Sequence, residues 1–173
     1  YFYFVNSYYC APQDKKIILY IGKCYNWKGL NTFIDAAELL RSNAGLLFYL
    51  VGDTEQNLKK AVNRELLPLS VHCISHQAIK EIPLWLSAAD IRVVLGTKGN
   101  EYSYYHTSPM KLFEYMAIPG RAIIAAQTPA IKEIVSEEHV YFYKPDDARD
   151  LAENILYVLA HSQESAMRSR KAF

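Results

Sequence analysis

Residues 17–53 read IILYIGKCYNWKGLNTFIDAAELLRSNAGLLFYLVGD, and the order of patterns within this stretch decides the fold. Ile17 to Ile21 is a continuous apolar run that stops at Gly22. A helical period follows, with Leu30, Phe33, Ile34, Ala37 and Leu40 on one face and Asn31, Asp35, Glu38 and Arg41 opposite. Leu46 to Val51 is a second apolar run, closed by Gly52. Strands that are apolar throughout need cover on both sheet faces, and a helix between two of them is the crossover of a parallel pair.

The alternation continues outward. Leu58, Val62 and Leu66 mark a helix, Val71 to Ile74 a third strand, Ile82 to Ala89 a helix with Pro83 near its start, and Ile91 to Leu95 a fourth strand. A polar, tyrosine-rich loop over 96–107 leads to a helix from Pro109 to Met116 and a strand from Ala122 to Ala126. A short helix near Ala130 to Val135, a strand from Val140 to Tyr143 and a long helix from about Asp147 to Ala160 complete the series, with Asp146 or Asp147 placed to cap the last. The expected fold is α/β, a Rossmann-like doubly wound parallel sheet forming a single domain over 17–161. Residues 1–16, opening with the aromatic and aperiodic YFYFVNSYY, read as a severed connecting segment, and 162–173 as a tail.

Composition removes several function classes. With 19 basic and 18 acidic residues the formal charge is +1, so nothing global draws the chain to nucleic acid or an anionic membrane, and any anion site must be local. Cys10, Cys24 and Cys73 are an odd number without metal-like spacing, which points to free thiols in a reducing compartment, by default the cytoplasm. His72, His139 and His161 have no metal-like spacing either, and no metal site is expected. No apolar run approaches the ~20 residues of a membrane span.

Sheets of this kind bind ligands beyond the carboxyl ends of their strands. The first loop there, Gly22-Lys23-Cys24-Tyr25-Asn26-Trp27-Lys28-Gly29, holds two cations that can converge on a polyanion such as a diphosphate, while Gly22 lets the backbone come close. The plainer alternative is two solvated lysines. The second candidate is His106-Thr107-Ser108-Pro109-Met110-Lys111-Leu112-Phe113-Glu114-Tyr115-Met116-Ala117. Ser108 reads as a helix N-cap with Pro109 as first helical residue, which would leave the N–H groups of Met110 and Lys111 free for a phosphate, reinforced by Lys111. Glu114, about a turn further on, has the acceptors for two vicinal ribose hydroxyls. The alternative is a capped helix with Glu114 in solvent, disfavoured because the helix is apolar nearly all round and therefore expected to be buried. His76 and Gln77 follow the third strand, where a base would lie, and Glu133 is expected at the start of a short helix. The tyrosines at 102, 104 and 105 read as core or interface.

Taken together, these blocks resemble the retaining GT-B-fold glycosyltransferases, the group 1 glycosyl transferases, in their C-terminal donor-binding domain. The likeness runs from Ile17 to about Leu159 and rests on the Gly22–Gly29 loop, LLFYLVGD at 46–53, WLSAADI at 85–91, SPMKLFEYMA at 108–117 and TPAIKEIV at 128–135. It implies catalytic contacts to the donor diphosphate from Lys23 and Lys28, ribose binding by Glu114, a base pocket at Ser75, His76 and Gln77, a phosphate-binding helix start over Ser108 to Lys111, and Glu133 near the sugar or diphosphate. The donor would be a UDP- or GDP-sugar used without a metal or other cofactor, transferred with retention to a saccharide or lipid-linked acceptor, as in polysaccharide biosynthesis. The partner would be an N-terminal acceptor-binding domain of the same protein, through which any peripheral membrane contact would come. This domain alone would bind without transferring. A sugar-nucleotide epimerase and a non-catalytic nucleotide-binding module are the rival readings. Two departures stand out: His106 occupies the position, eight residues before Glu114, where many members carry a glutamate, with Glu101 five residues earlier, and the link MAIPGRA at 116–122 is longer than usual.

Overall fold

A computed structural model describes residues 14–172, so most of the segment read as a linker lies outside the described residues. Strands β1 (Lys16–Ile21), β2 (Leu46–Val51), β3 (Val71–Ile74), β4 (Ile91–Val94), β5 (Ala122–Ala126) and β6 (Tyr141–Tyr143) form one sheet in the order β3-β2-β1-β4-β5-β6. Every neighbouring pair is parallel, which is the doubly wound, Rossmann-like order with its reversal between β1 and β4.

The crossovers are α1 (Leu30–Leu39), α2 (Glu55–Val62), α3 (Ile82–Ala88), α4 (Met110–Met116) and α5 (Pro129–Lys132), followed by α6 (Ala148–Ala160) and α7 (Ser162–Ala172). Burial follows from the apolar runs: Ile18, Leu19, Phe48, Leu50, Ile91 and Val93 are wholly enclosed. Phe33 of α1 meets Phe48 edge-on with ring centroids 5.4 Å apart, and α1 also packs on α6, whose Leu151 and Ile155 are fully buried. Such a helix is held by its apolar face more than by intrinsic propensity.

The reversal leaves backbone groups to be satisfied by other means. β1 pairs with β4 only at Ile18↔Ile91 and Leu19↔Arg92, whereas its pairing with β2 runs from Lys16↔Leu46 to Ile21↔Val51. Two odd-numbered N–H groups outside the short β1–β4 ladder go to side chains: Ile17 donates to Asp90 Oδ2 at 2.9 Å and Ile21 to the Tyr115 hydroxyl at 2.9 Å. Ligands of such sheets bind outside the carboxyl ends of the strands at this reversal.

Local chemistry fixes the helix ends, not always as the pattern suggests. Thr54, Thr128 and Asp147 cap α2, α5 and α6, and Asp147 accepts from both Arg149 N and Asp150 N. Asp146 does not cap; it takes a left-handed conformation and accepts from Lys98 N at 2.8 Å. The periodicity predicts α2 to reach Leu66, but the helix stops at Val62 because Asn63 turns left-handed (φ 53°), and Leu66 lies 84% exposed. Residues 162–172, read as a tail, form α7, which buries Ser165, Ser169 and Ala172. There Ser165 Oγ lies 3.0 Å from the Tyr141 hydroxyl, Arg168 stacks 3.9 Å over the Tyr141 ring, and Ser169 Oγ accepts from Gly120 N in the long 116–122 link.

Candidate functional site

The carboxyl ends of β1 and β4 flank the reversal, and each leads into a loop that the sequence singled out. The Gly22–Gly29 loop includes a 3-10 turn over Asn26–Lys28, after which Gly29 is left-handed (φ 77°) and starts α1. A Cβ at Gly29 would come within 2.9 Å of the Gly96 carbonyl oxygen, so only glycine lets the β1 and β4 loops touch here.

Asp53, at the end of β2, fixes the same loop from the other side. Its carboxylate is 7% exposed and accepts from Cys24 N at 2.9 Å, from Thr54 N at 2.9 Å and from Asn57 Nδ2 at 2.6 Å. Burial pushes its pKa up, but the hydrogen bonds, led by that from Cys24, and the Lys23 charge outweigh this and hold it below the ordinary carboxylate value. Asp53 is a site-supporting residue that sequence reasoning quoted only as part of a strand end. Burial and the Asp53 charge push the neighbouring Cys24 thiol up to about 12, so it is an inert thiol.

Lys28 lies 4.3 Å over the Trp27 ring, a cation–π contact, while Tyr25 stacks on Trp27 and Tyr102 meets it edge-on, each with ring centroids 5.7 Å apart. The tyrosine cluster read as core or interface thus contributes Tyr102, itself 57% exposed, to the aromatic bundle around Lys28. Burial, and next the charge of Lys111, push the Lys28 pKa down. A bound anion would offset that opposing charge. Lys23, on the same loop, is exposed.

On α4, Lys111 Nζ donates to both carboxylate oxygens of Glu114, at 3.0 Å and 2.7 Å. The expectation of a fully buried helix is corrected: Leu112 and Tyr115 are enclosed, but Met110 and Phe113 are 62% and 43% exposed, and the Lys111 and Glu114 side chains are each 39% exposed. Glu114 is answered by its neighbour and not by a buried partner.

The helix start is corrected as well. Ser108 does not cap α4; Pro109 holds the N-cap position with ψ 69°, and no side chain caps the end. A serine before proline can cap, as Thr128 does before Pro129, but here Pro109 leaves the helical region and the chain tightens so that Met110 N–H donates to the Ser108 carbonyl at 2.9 Å and Leu112 N–H to that of Pro109 at 2.7 Å. Met110 N–H is thus occupied locally instead of being free for a phosphate. His106 ends a π-helical turn over Tyr102–His106, exposed, its ring tilted against Tyr105 at 6.1 Å.

Beyond β3, Ser75 and His76 are exposed and Gln77 ties the segment together. Its Nε2 donates to the Ser75 and His76 carbonyls at 3.2 and 3.3 Å, and its Oε1 accepts from Trp85 Nε1 at 3.4 Å. Glu133 follows α5 instead of starting it, as the C-cap residue, where a carboxylate no longer complements the helix dipole.

The elements that seat α4 were not legible beforehand. Arg92 on β4 is wholly buried and donates through Nε to Leu86 O at 3.0 Å and through Nη1 to Tyr115 O at 2.6 Å and Ile118 O at 2.5 Å. It thereby neutralises carbonyls at the C-terminal ends of α3 and α4 and anchors the 116–122 link. Burial depresses its pKa to about 10, which leaves it charged at neutral pH. Among the described residues, no group of three or more His, Cys, Asp or Glu is arranged to hold a metal ion, and no helix is long and apolar enough to cross a membrane.

The sequence profile of the family "Glycosyl transferases group 1" matches residues 15–161. The chain belongs to the group 1 glycosyl transferases. Over 124 residues, 67% of this chain, it is 31% identical to WcaI of Escherichia coli (strain K12), by its name a colanic acid biosynthesis glycosyl transferase. This glycosyl transferase chain also shares its fold with Anabaena HepE in complex with UDP-glucose (TM-score 0.77, 20% identity, 99% of this chain and 46% of that one). The sucrose-phosphate synthase of Thermosynechococcus elongatus is similar too (TM-score 0.74, 23% identity, 96% of this chain and 42% of that one). The chain spans 28% of the length of WcaI and less than half of either solved structure.

Proposed function

We propose that this chain is the donor-binding half of a two-domain GT-B glycosyltransferase, taking a UDP- or GDP-linked sugar for transfer with retention to a saccharide or lipid-linked acceptor. The observation that carries this reading is the Lys111–Glu114 pair on a helix that Tyr115 ties to Ile21, the end of the strand that leads into the loop with Lys23 and Lys28. Two cations are the complement of a diphosphate, and a half-exposed carboxylate is the complement of a ribose diol. The name of the HepE structure, with its UDP-glucose, supports the same class of donor.

Chemically, the bond from the anomeric carbon to the β-phosphate oxygen breaks, the electron pair leaves with the nucleoside diphosphate, and an acceptor hydroxyl oxygen bonds the anomeric carbon as its proton passes to the departing phosphate oxygen. The lysine charges stabilise that growing negative charge with no metal required, and removing one such contact from a transition state typically costs about 2.7–4 kcal/mol. Lys23 is assigned to the same diphosphate, and Ser75, His76 and Gln77 to the base. His106 is assigned to the sugar, Ser108 with Lys111 to the phosphates, and Glu133 to the sugar or diphosphate side. The acceptor is assigned to a domain outside this sequence, together with any membrane contact, and the enzyme to the cytoplasm. On its own, this half binds donor and does not transfer.

Calorimetric titration of the chain with UDP, GDP, ADP and NAD, repeated on Lys28→Ala and Glu114→Ala, tests the reading. Selective binding of UDP or GDP, weakened by both substitutions, is the expected result; equal affinity for all four, or indifference to both changes, contradicts it.

A further inference from the structure

The contact between Lys111 and Glu114 raises a question of order. The ammonium of Lys111 engages both oxygens of the one carboxylate proposed for the ribose, at 3.0 Å and 2.7 Å. As long as that fork is closed, a sugar diol must compete with a cation for the same acceptors. Both side chains are 39% exposed, so ligand can reach them, and an exposed pair of this kind is worth less than about a fivefold factor in equilibrium. It is closed at rest and weak enough to open.

We infer that Lys111 is a specificity determinant that makes ribose recognition by Glu114 conditional on a phosphate group in the site. The inference rests on the donor-site reading above. A diphosphate offers Lys111 more negative charge than one carboxylate does, and it also relieves the mutual opposition of the Lys28 and Lys111 charges. When the ammonium turns to phosphate, both Glu114 oxygens become free to accept from the two ribose hydroxyls. A nucleoside without phosphate must open the fork alone; a nucleoside diphosphate opens it with its own charge. The site thereby favours nucleoside diphosphates over nucleosides by more than the phosphate contacts themselves supply.

Linkage gives a readout that a purely structural lysine does not move, because two ligands that open one latch tighten each other's binding equally. The experiment is a calorimetric titration of this chain with uridine, with and without saturating inorganic pyrophosphate, in wild type and in Lys111→Met, with guanosine used if GDP binds more tightly than UDP. In wild type, pyrophosphate is expected to tighten nucleoside binding about threefold, the scale of an exposed ion pair. In Lys111→Met the nucleoside binds about threefold more tightly without pyrophosphate, which then has no further effect, while the nucleoside diphosphate binds more weakly than to wild type. Lys111→Gln gives the same pattern and guards against a folding defect in one variant. If wild type binds UDP or GDP but pyrophosphate leaves nucleoside affinity unchanged or lowers it, the latch is overturned and the donor site stands. If wild type binds no nucleotide, both fall together.

Discussion

The hydroxyl of Tyr115, in the last turn of the helix that carries Lys111 and Glu114, accepts the backbone N–H of Ile21 at the carboxyl end of β1 at 2.9 Å. Tyr115 is wholly buried, and its own carbonyl is held by Arg92 on β4. The helix is therefore tied to both strands that flank the crevice, and its position is set by the pairing that β1 and β4 do not complete.

Tyr115→Phe keeps the ring and removes the acceptor, leaving the Ile21 N–H buried without a partner. Its expected cost is about 1–3 kcal/mol of stability. Denaturant unfolding reads this as a lower midpoint with an unchanged m-value. A variant as stable as wild type would show that water or a local shift satisfies Ile21.

Asp53→Asn loses the charge that three hydrogen bonds and Lys23 favour. Because the folded-state pKa is below the unfolded value, the carboxylate contributes stability in full above the unfolded pKa of about 3.9 and loses it as pH falls through the lowered folded value. Wild type should exceed Asp53→Asn in stability by a constant margin at neutral pH, shrinking only in acid. A margin independent of pH down to the acid limit would contradict this role. Nucleotide binding should weaken as well, since Asp53 holds the Cys24 N–H of the lysine loop.

Lys28 has the opposite sign. Its pKa is lowered by burial and by Lys111, so its charge is unfavourable in the empty folded state. Lys28→Met should therefore melt within about 2 °C of wild type or above it. It should also lose roughly 10- to 100-fold in UDP or GDP affinity, the size of a charged hydrogen bond. In wild type, nucleotide binding should take up a proton where Lys28 is partly neutral and weaken as pH rises through that lowered value. Calorimetry in buffers of different ionisation enthalpy measures the uptake; zero uptake across that alkaline range would oppose the assignment.

The helix starts make a paired prediction. Thr128 accepts from Ile131 N at 3.3 Å and caps α5, whereas Ser108 caps nothing. Thr128→Ala should cost about 1 kcal/mol. Ser108→Ala should stay within about 0.5 kcal/mol of wild type in chemical denaturation. An equal cost for both would restore the serine cap.

The strand ladder was readable because the strands are apolar but for Lys16, His72 and Arg92 and end at a glycine or polar turn, a pattern set largely by burial. Lys28, Lys111 and Glu114 were readable because charge beside a strand end is conspicuous. What escaped depends on geometry instead of composition. Leu66 continues a helical period that the left-handed Asn63 breaks, and residues 162–172 look too polar for a packed helix until the small Ser165 and Ser169 are seen against the sheet. Ser108-Pro109 has the residue types of a cap, as Thr128-Pro129 has, but Pro109 itself is non-helical with ψ 69°, so α4 starts one residue later and leaves Ser108 out of capping register. Arg92 and Asp53 support the site through backbone carbonyls and N–H groups, contacts that leave no signature in residue spacing.

The most direct test of the central claim is a crystal structure of this chain with bound UDP, or with GDP if that binds more tightly. The account predicts the diphosphate against Lys28 and Lys111, the ribose hydroxyls on Glu114, and the Lys111–Glu114 contact opened. Nucleotide seated away from the β1–β4 crevice, or ribose bound elsewhere with that ion pair intact, would contradict it.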